Sequence, residues 1–184
     1  GIDKLYGTSG NNTLKGNNGN DLLYGQNGND TLYGGNNNDK LYGGVGNDTL
    51  KGDAGNDLLQ GDAGKDTMFG GAGADTFVFR STTHSSASAS GADIIRDFTR
   101  GVDKIDLHFI DASTKLSGNN AFTFDGTTKH GTSKDGDIYY KQFNNAGTAK
   151  DYTMIYIDND NDSATECMIK LTGLHTLTAS DFIL

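Results

Sequence analysis

Apolar residues in the first 78 positions fall nine apart: Leu5, Leu14, Leu23, Leu32, Leu41, Leu50, Leu59, Met68 and Phe77 keep one register. Two residues ahead of each, a second register carries Asp3, Asn12, Asp21, Asp30, Asp39, Asp48, Asp57, Asp66 and Asp75. Glycine-rich runs separate the units, and the clearest copy reads Gly43-Gly44-Val45-Gly46-Asn47-Asp48-Thr49-Leu50-Lys51. Two registers held in step over nine periods identify a repeat architecture. The pattern outward, inward, outward around each apolar residue predicts three residues of strand and six of turn. Two units then make a flattened coil of 18 residues with one short strand per face, and successive coils stack about 4.8 Å apart.

One inward apolar side chain per unit buries too little to offset the ordering of nine backbones, so a further source of energy is required. Residues 18 apart are neighbours in such a stack. Asp21, Asp39, Asp57 and Asp75 therefore line one edge, and Asn12, Asp30, Asp48 and Asp66 the other. Carboxylates at that spacing repel each other. A hard divalent cation between them turns repulsion into coordination, and ligation by carboxylate and carbonyl oxygens is what Ca²⁺ prefers. The turn glycines permit the positive φ that aims carbonyls at such an ion.

Composition supports this reading. The 184 residues include 27 Gly and no Pro, are 34% apolar and carry a net charge of −9. That charge argues against nucleic acid, and no apolar run approaches the roughly 20 residues of a membrane helix. A single Cys167 excludes an internal disulfide framework. No signal peptide is visible, and a chain that opens inside a repeat is expected to belong to a longer protein. Low hydrophobicity with high net charge predicts disorder, which is the expected metal-free state.

The unit Gly-Gly-x-Gly-x-Asp-x-apolar-x resembles the calcium-binding nonapeptide of RTX proteins. The chain is similar to the carboxy-terminal RTX regions of secreted bacterial proteins such as serralysin-type proteases and mannuronan C-5 epimerases. The resemblance implies an all-β fold: a right-handed parallel β-roll over 1–78 that folds on calcium, then a small antiparallel β cap over 79–184. It implies six to seven ions, each held between loop n and loop n+2. One site would take the carbonyls of Asn17 and Gly19 with the Asp21 carboxylate, and the carbonyls of Gly34 and Asn36 with the Asp39 carboxylate. Shifts of nine give six sites pairing 12/30, 21/39, 30/48, 39/57, 48/66 and 57/75, with a seventh between Asp3 and Asp21 cut by the chain start. The implied carbonyls are those of Thr8, Gly10, Gly16, Asn17, Asn18, Gly19, Gly25, Gln26, Asn27, Gly28, Gly34, Gly35, Asn36 and Asn37. In the later units they are those of Gly43, Gly44, Val45, Gly46, Gly52, Asp53, Ala54, Gly55, Gly61, Ala63, Gly70 and Ala72. Asn12 replaces an acid and should weaken its site, Asn37 tolerates the positive φ of the glycine it replaces, and Asp53 and Asp62 would add outer carboxylates.

Outward strand positions form columns. Tyr6, Tyr24 and Tyr42 stack on one face, while Thr13, Thr31, Thr49 and Thr67 stand beside Lys15, Tyr33, Lys51 and Phe69 on the other. Lys15, Tyr33, Lys51, Tyr24 and Tyr42 are candidate contacts for an acidic polysaccharide, and the threonines could order water or meet ice. Both residue types also simply suit strands.

After Phe79 the register stops, and Ser81 to Ser90 reads as a Ser/Ala-rich loop. Strand-like runs follow at 93–98, 104–107, 121–124, 138–140, 152–157 and 168–171, predicting a small antiparallel sheet or sandwich that caps the stack. Asp93 to Phe98 and Asp103 to Leu107 also resemble serralysin carboxy-terminal segments. Asp93, Asp97 and Asp103 are candidates for calcium where roll meets cap, whereas Asp158, Asp160 and Asp162 read better as a solvated turn than as an EF-hand loop, since Ser163 replaces its glycine. Asp181, Phe182, Ile183 and Leu184 resemble the ending presented to type I secretion machinery, and read equally as a final edge strand.

His84, His108, His130 and His175 are scattered, and neither a His-Glu-x-x-His motif nor a Gly-x-Ser-x-Gly elbow is present. Cys167 lies in an apolar run and reads as core. The expected function is that of a non-catalytic, monomeric, secreted module that folds on calcium outside the bacterial cell. The alternatives are an alginate-binding auxiliary of a polysaccharide-modifying enzyme, or the end of an adhesin or ice-binding protein.

Overall fold

The computed structural model describes residues 1–110, 122–127, 136–144, 151–158 and 165–184. Its repeats form β1 (Lys4–Tyr6), β2 (Thr13–Asn18), β3 (Leu22–Asn27), β4 (Thr31–Asn36) and β5 (Lys40–Val45). They continue as β6 (Thr49–Ala54), β7 (Leu58–Ala63), β8 (Thr67–Ala72) and β9 (Thr76–Val78). Odd strands stack in one parallel sheet and even strands in another, each residue pairing with the one 18 further on, as in Leu23 with Leu41 and Leu32 with Leu50. Leu23, Leu32, Leu41, Leu50, Leu59, Met68 and Phe77 are fully buried between the two sheets, while Leu5 and Leu14 close the first coil only partly.

The interior strands run to six residues, not the expected three. Pairing skips the first turn glycine, passing from Lys15–Tyr33 to Asn17–Gly35, and then resumes around the corner. Identical coils stacked in register keep offering N–H to C=O even where the chain bends, so the ladder extends into the turn. The bend itself needs positive φ at Asn17 (72°) and Asn37 (79°), a conformation asparagine accepts.

The stack does not stop at residue 78. A strap over 79–92 leads to β10 (Asp93–Ile95) and β11 (Lys104–Asp106), which lie parallel on β8 and β9 with Ile95 opposite Met68 and Ile105 opposite Phe77. Beyond them come β12 (Thr123–Gly126), β13 (Asp137–Phe143), β14 (Tyr152–Asp158), β15 (Cys167–Thr172) and β16 (Phe182–Ile183). The expected antiparallel cap strands are present, and they are continuous with the roll sheets. Among the described residues β13, β14 and β15 pair antiparallel, whereas β15 joins β10 in parallel and β16 joins β11, so both roll sheets run on into the cap with orders β1-β3-β5-β7-β9-β11-β16 and β12-β13-β14-β15-β10-β8-β6-β4-β2. The physical reason is the open stack end, whose unpaired backbone is covered best by more strands in the same register.

The last residues are integrated here. Asp181 is buried and accepts hydrogen bonds from the N–H of Gly101 (3.1 Å) and Thr178 (2.8 Å), Phe182 packs on Phe124, and Ile183 lies opposite Asp106. Cys167 is core, its thiol pushed up to about 12 by burial. Asp160, Asp162 and His130 lie outside the described residues.

Candidate metal centre

Each carboxylate of the nine-residue register from Asp21 to Asp75 divides its two oxygens between neighbouring coils. Oδ1 accepts the backbone N–H of the residue 18 earlier: Asp3 to Asp21, Asn12 to Asp30 and Asp21 to Asp39, each at 2.7 Å. The same bond runs from Asp30 to Asp48, Asp39 to Asp57, Asp48 to Asp66 and Asp57 to Asp75 at 2.7–2.9 Å. All seven carboxylates from Asp21 to Asp75 are at least 98% buried. Their Oδ2 atoms have no hydrogen-bond partner. A buried, unpaired carboxylate oxygen is costly, and seven in two columns require a compensating charge.

The space beside each Oδ2 is kept open by the first glycine of its own loop. A Cβ on Gly34 would stand 2.5 Å from Asp39 Oδ2 and 2.8 Å from the carbonyl oxygen of Gly52 in the next coil. The same cradle recurs at Gly16, Gly25, Gly43 and Gly52, with 2.3–2.5 Å to the aspartate and 2.5–2.7 Å to the next coil's glycine carbonyl. Gly7 forms a sixth with Asn12 Oδ1 and the Gly25 carbonyl. At Gly61 and Gly70 the three nearest atoms all belong to Asp66 or Asp75. Oxygens from two coils facing one small gap suit a hard cation. Among the described residues no three His, Cys, Asp or Glu side chains converge, so an ion here must draw on backbone carbonyls, and calcium accepts them.

Several expected carbonyls are partly engaged. Those of Asn18, Asn36, Val45, Ala63 and Ala72 each accept one N–H, from Gly1, Gly19, Gly28, Gly46 and Gly55, leaving one lone pair for an ion. Asn12 Oδ1 accepts the Thr8 N–H at 2.6 Å. Asp53 and Asp62 lie close enough to raise the carboxyls of Asp57 and Asp66.

One feature went unread in the sequence, and a second extends the Asp93, Asp97 and Asp103 candidates. Asparagines at the fifth repeat position form a ladder of opposite sense, Asn11 Oδ1 accepting from Asn29 N–H (2.9 Å), Asn29 from Asn47 (2.8 Å) and Asn38 from Asn56 (2.8 Å). Their recurrence every nine residues was the available signal. The aspartate ladder also continues, with Asp93 Oδ1 accepting from Asp66 N–H at 2.8 Å and Asp103 Oδ1 from Asp75 N–H at 3.0 Å. Asp97 takes the place of a first-position glycine and binds the N–H groups of Gly70 and Gly71 at 2.9 and 3.0 Å.

Burial pushes the carboxyls of Asp39, Asp48 and Asp75 up to about 6 and those of Asp57 and Asp66 up to about 7, with neighbouring carboxylates adding to the rise against the coil-to-coil N–H bond. Folded values above the ordinary 3.8 mean that the metal-free roll holds more protons than the unfolded chain between about pH 4 and 7. Its stability is full below that window and is lost as pH rises through it, unless a cation replaces the protons. The calcium concentration needed for half-saturation should therefore rise as pH falls from 7.5 to 5.5, because protons and ions compete for the same oxygens. Calcium titrations at three pH values would check this, and a midpoint constant across the range would contradict it.

A family model described as peptidase M10 serralysin C terminal matches residues 5–184. Among solved structures, the AlgE6R2 subunit of the Azotobacter vinelandii mannuronan C5-epimerase is similar, with a TM-score of 0.53 and 27% identity over 98% of this chain and 91% of that one. The AlgE6R3 subunit of the same enzyme is similar with a TM-score of 0.50 and 27% identity, over 99% of this chain and 78% of that one. No curated protein matches.

Proposed function

Because the chain belongs to the peptidase M10 serralysin C-terminal family, we propose that its glycine-walled cradles are calcium sites and that filling them folds the module outside the bacterial cell. The observation that carries this reading is the run of seven buried Oδ2 atoms without a partner. In five of the six sites the Asp Oδ2 supplies charge, and in the sixth the neutral Asn12 Oδ1 takes its place; the first-position glycine leaves room, and carbonyls of two coils complete an oxygen shell. Calcium supplies the positive charge that lets the columns close. Where calcium is scarce, as in the cytosol, the repelling columns keep the chain open for export by type I machinery, with Asp181 to Leu184 as the signal read before folding. The module carries no chemistry of its own in this reading; it stabilises a larger secreted protein. The mannuronan epimerase neighbours also favour contact with an acidic glycan, although Tyr6, Tyr24 and Tyr42 stack on each other at 5.1 and 4.9 Å and so offer ring edges, not faces.

Native mass spectrometry of the calcium-loaded chain tests the site assignment. Six ions are expected, matching the six cradles. Asp39→Ala should remove two, because its Oδ2 faces Gly52 and its Oδ1 ties the coil of Asp21, whereas Asp3→Ala should leave the count unchanged. Equal counts for the two variants would count against the assignment.

A further inference from the structure

Asparagine precedes glycine twice in the chain, at Asn18-Gly19 and Asn27-Gly28, and both pairs lie in the amino-terminal coils at the ends of β2 and β3. The fold demands these glycines. They adopt φ of 127° and 117°, and a Cβ would meet the Gly1 carbonyl oxygen at 1.5 Å from position 19 and the Gly10 carbonyl carbon at 2.7 Å from position 28. The same corner recurs at Gly46, Gly55, Gly64 and Gly73, with φ of 141–149°. There the preceding residues are Val45, Ala54, Ala63 and Ala72, which carry no group that a backbone nitrogen attacks. Asn18 and Asn27 bring a side-chain amide to this corner, and both are exposed.

A backbone nitrogen closes most readily on the amide carbon of the preceding asparagine when it belongs to glycine, which has no Cβ in the way. The Gly19 nitrogen gives up its proton and bonds to Cγ of Asn18, the Cγ–Nδ2 bond breaks, and Nδ2 leaves as ammonia. Water then opens the cyclic imide. Cleavage of the new N–Cγ bond leaves aspartate in an ordinary backbone, and cleavage of the original peptide bond leaves isoaspartate, with the chain running through Cβ. The sum is amide plus water to carboxylic acid plus ammonia, so water is the only co-reactant.

Closed coils withhold both reacting groups. The Gly19 N–H donates to the Asn36 carbonyl at 3.2 Å and the Gly28 N–H to the Val45 carbonyl at 2.8 Å. Asn18 Oδ1 accepts from Asn36 Nδ2 at 2.7 Å. Each of these bonds reaches into the next coil, so separating the coils frees the nitrogens and the amide together. Both pairs also sit inside cradles, the first between Gly16 and Asp21 and the second between Gly25 and Asp30. Isoaspartate lengthens the backbone there by one carbon and pulls the glycine away from the carboxylate it faces.

We propose that Asn18 and Asn27 are self-modification sites gated by coil closure: deamidation through the Gly19 and Gly28 nitrogens marks a chain held open and dismantles the Gly16 and Gly25 cradles. Control of the gate by calcium rests on the reading above, in which the ions close these coils. The neutral Asn12 stands at the same end of the stack, so the coils that fray most easily carry the labile pairs.

Peptide mapping by mass spectrometry, with electron-transfer fragmentation to separate isoaspartate from aspartate, tests this on the whole chain held in EDTA, in calcium, and in calcium with urea. In EDTA, conversion at 18 and 27 should outpace that at Asn36, which occupies the same corner but is followed by Asn37. Calcium should slow it by about tenfold or more, since the reaction then waits for local opening, and urea should restore it with calcium present. After prolonged EDTA treatment the chain returned to calcium should hold fewer ions by native mass spectrometry. The double variant Asn18→Gln, Asn27→Gln, whose longer side chains close the ring poorly, should keep its count. Conversion no faster than at Asn36, or equally fast in the folded and the urea-unfolded chain, overturns the gate, and an unchanged ion count after conversion overturns the damage to the cradles. Circular dichroism on the same samples separates the two readings: a chain equally folded in EDTA and in calcium overturns the calcium control, while the urea sample still decides the gate.

Discussion

Gly43→Ala is expected to raise the calcium concentration needed for folding by about tenfold, the scale of a 1–3 kcal/mol overpacking penalty. The added methyl would stand 2.4 Å from Asp48 Oδ2 and 2.7 Å from the Gly61 carbonyl, and both belong to buried, hydrogen-bonded coils that have no room to yield. Gly43 does not adopt positive φ, so alanine is acceptable to the backbone and the whole effect comes from filling the cradle. Its neighbour Gly44 would confound the two, since it has φ 109° and its Cβ would meet the Gln26 carbonyl at 2.0 Å. Gly10 supplies the control, because a Cβ there meets nothing within 4 Å. Calcium titrations of the two variants read the difference directly. An unshifted midpoint for Gly43→Ala, or an equal shift for Gly10→Ala, would remove the cradle as the ion's place.

Much of this geometry was legible because a nine-residue period leaves little freedom. Once Leu23 must face inward and repeat at Leu41, the two edges and the partners of Asp21 and Asp39 follow. The division of labour within one carboxylate was not legible. Nothing in the spacing says that Asp39 spends Oδ1 on the backbone of Asp21 and leaves Oδ2 bare, since that depends on coil rise and side-chain torsion. The extra coil was hidden for a different reason. Asp93 and Ile95 keep the two-residue offset of the repeat, but the strap over 79–92 breaks its phase, so the step to Asp66 is 27 residues and that from Asp75 to Asp103 is 28. Short local registers survive such an insertion, whereas a search for an unbroken period loses them.

Removal of calcium has the largest expected effect of all. The roll holds seven carboxylates at 0–2% exposure, two columns with a repeat of about 4.8 Å, and only one inward apolar side chain per nine residues to oppose their repulsion. Protonation relieves part of this below about pH 6, so the dependence should be sharpest near pH 7.5. Metal binding energy is then folding energy, and stability rises with calcium concentration by mass action. Because coils stack only on their neighbours, each filled cradle favours the next, and the transition should be steep.

Far-UV circular dichroism of the whole chain at pH 7.5, first in EDTA and then on titration into millimolar calcium, tests this most directly. The predicted result is a disordered spectrum over the repeats in EDTA that converts cooperatively to β-sheet as calcium is added. A chain with the same β-sheet spectrum in EDTA as in calcium would contradict it.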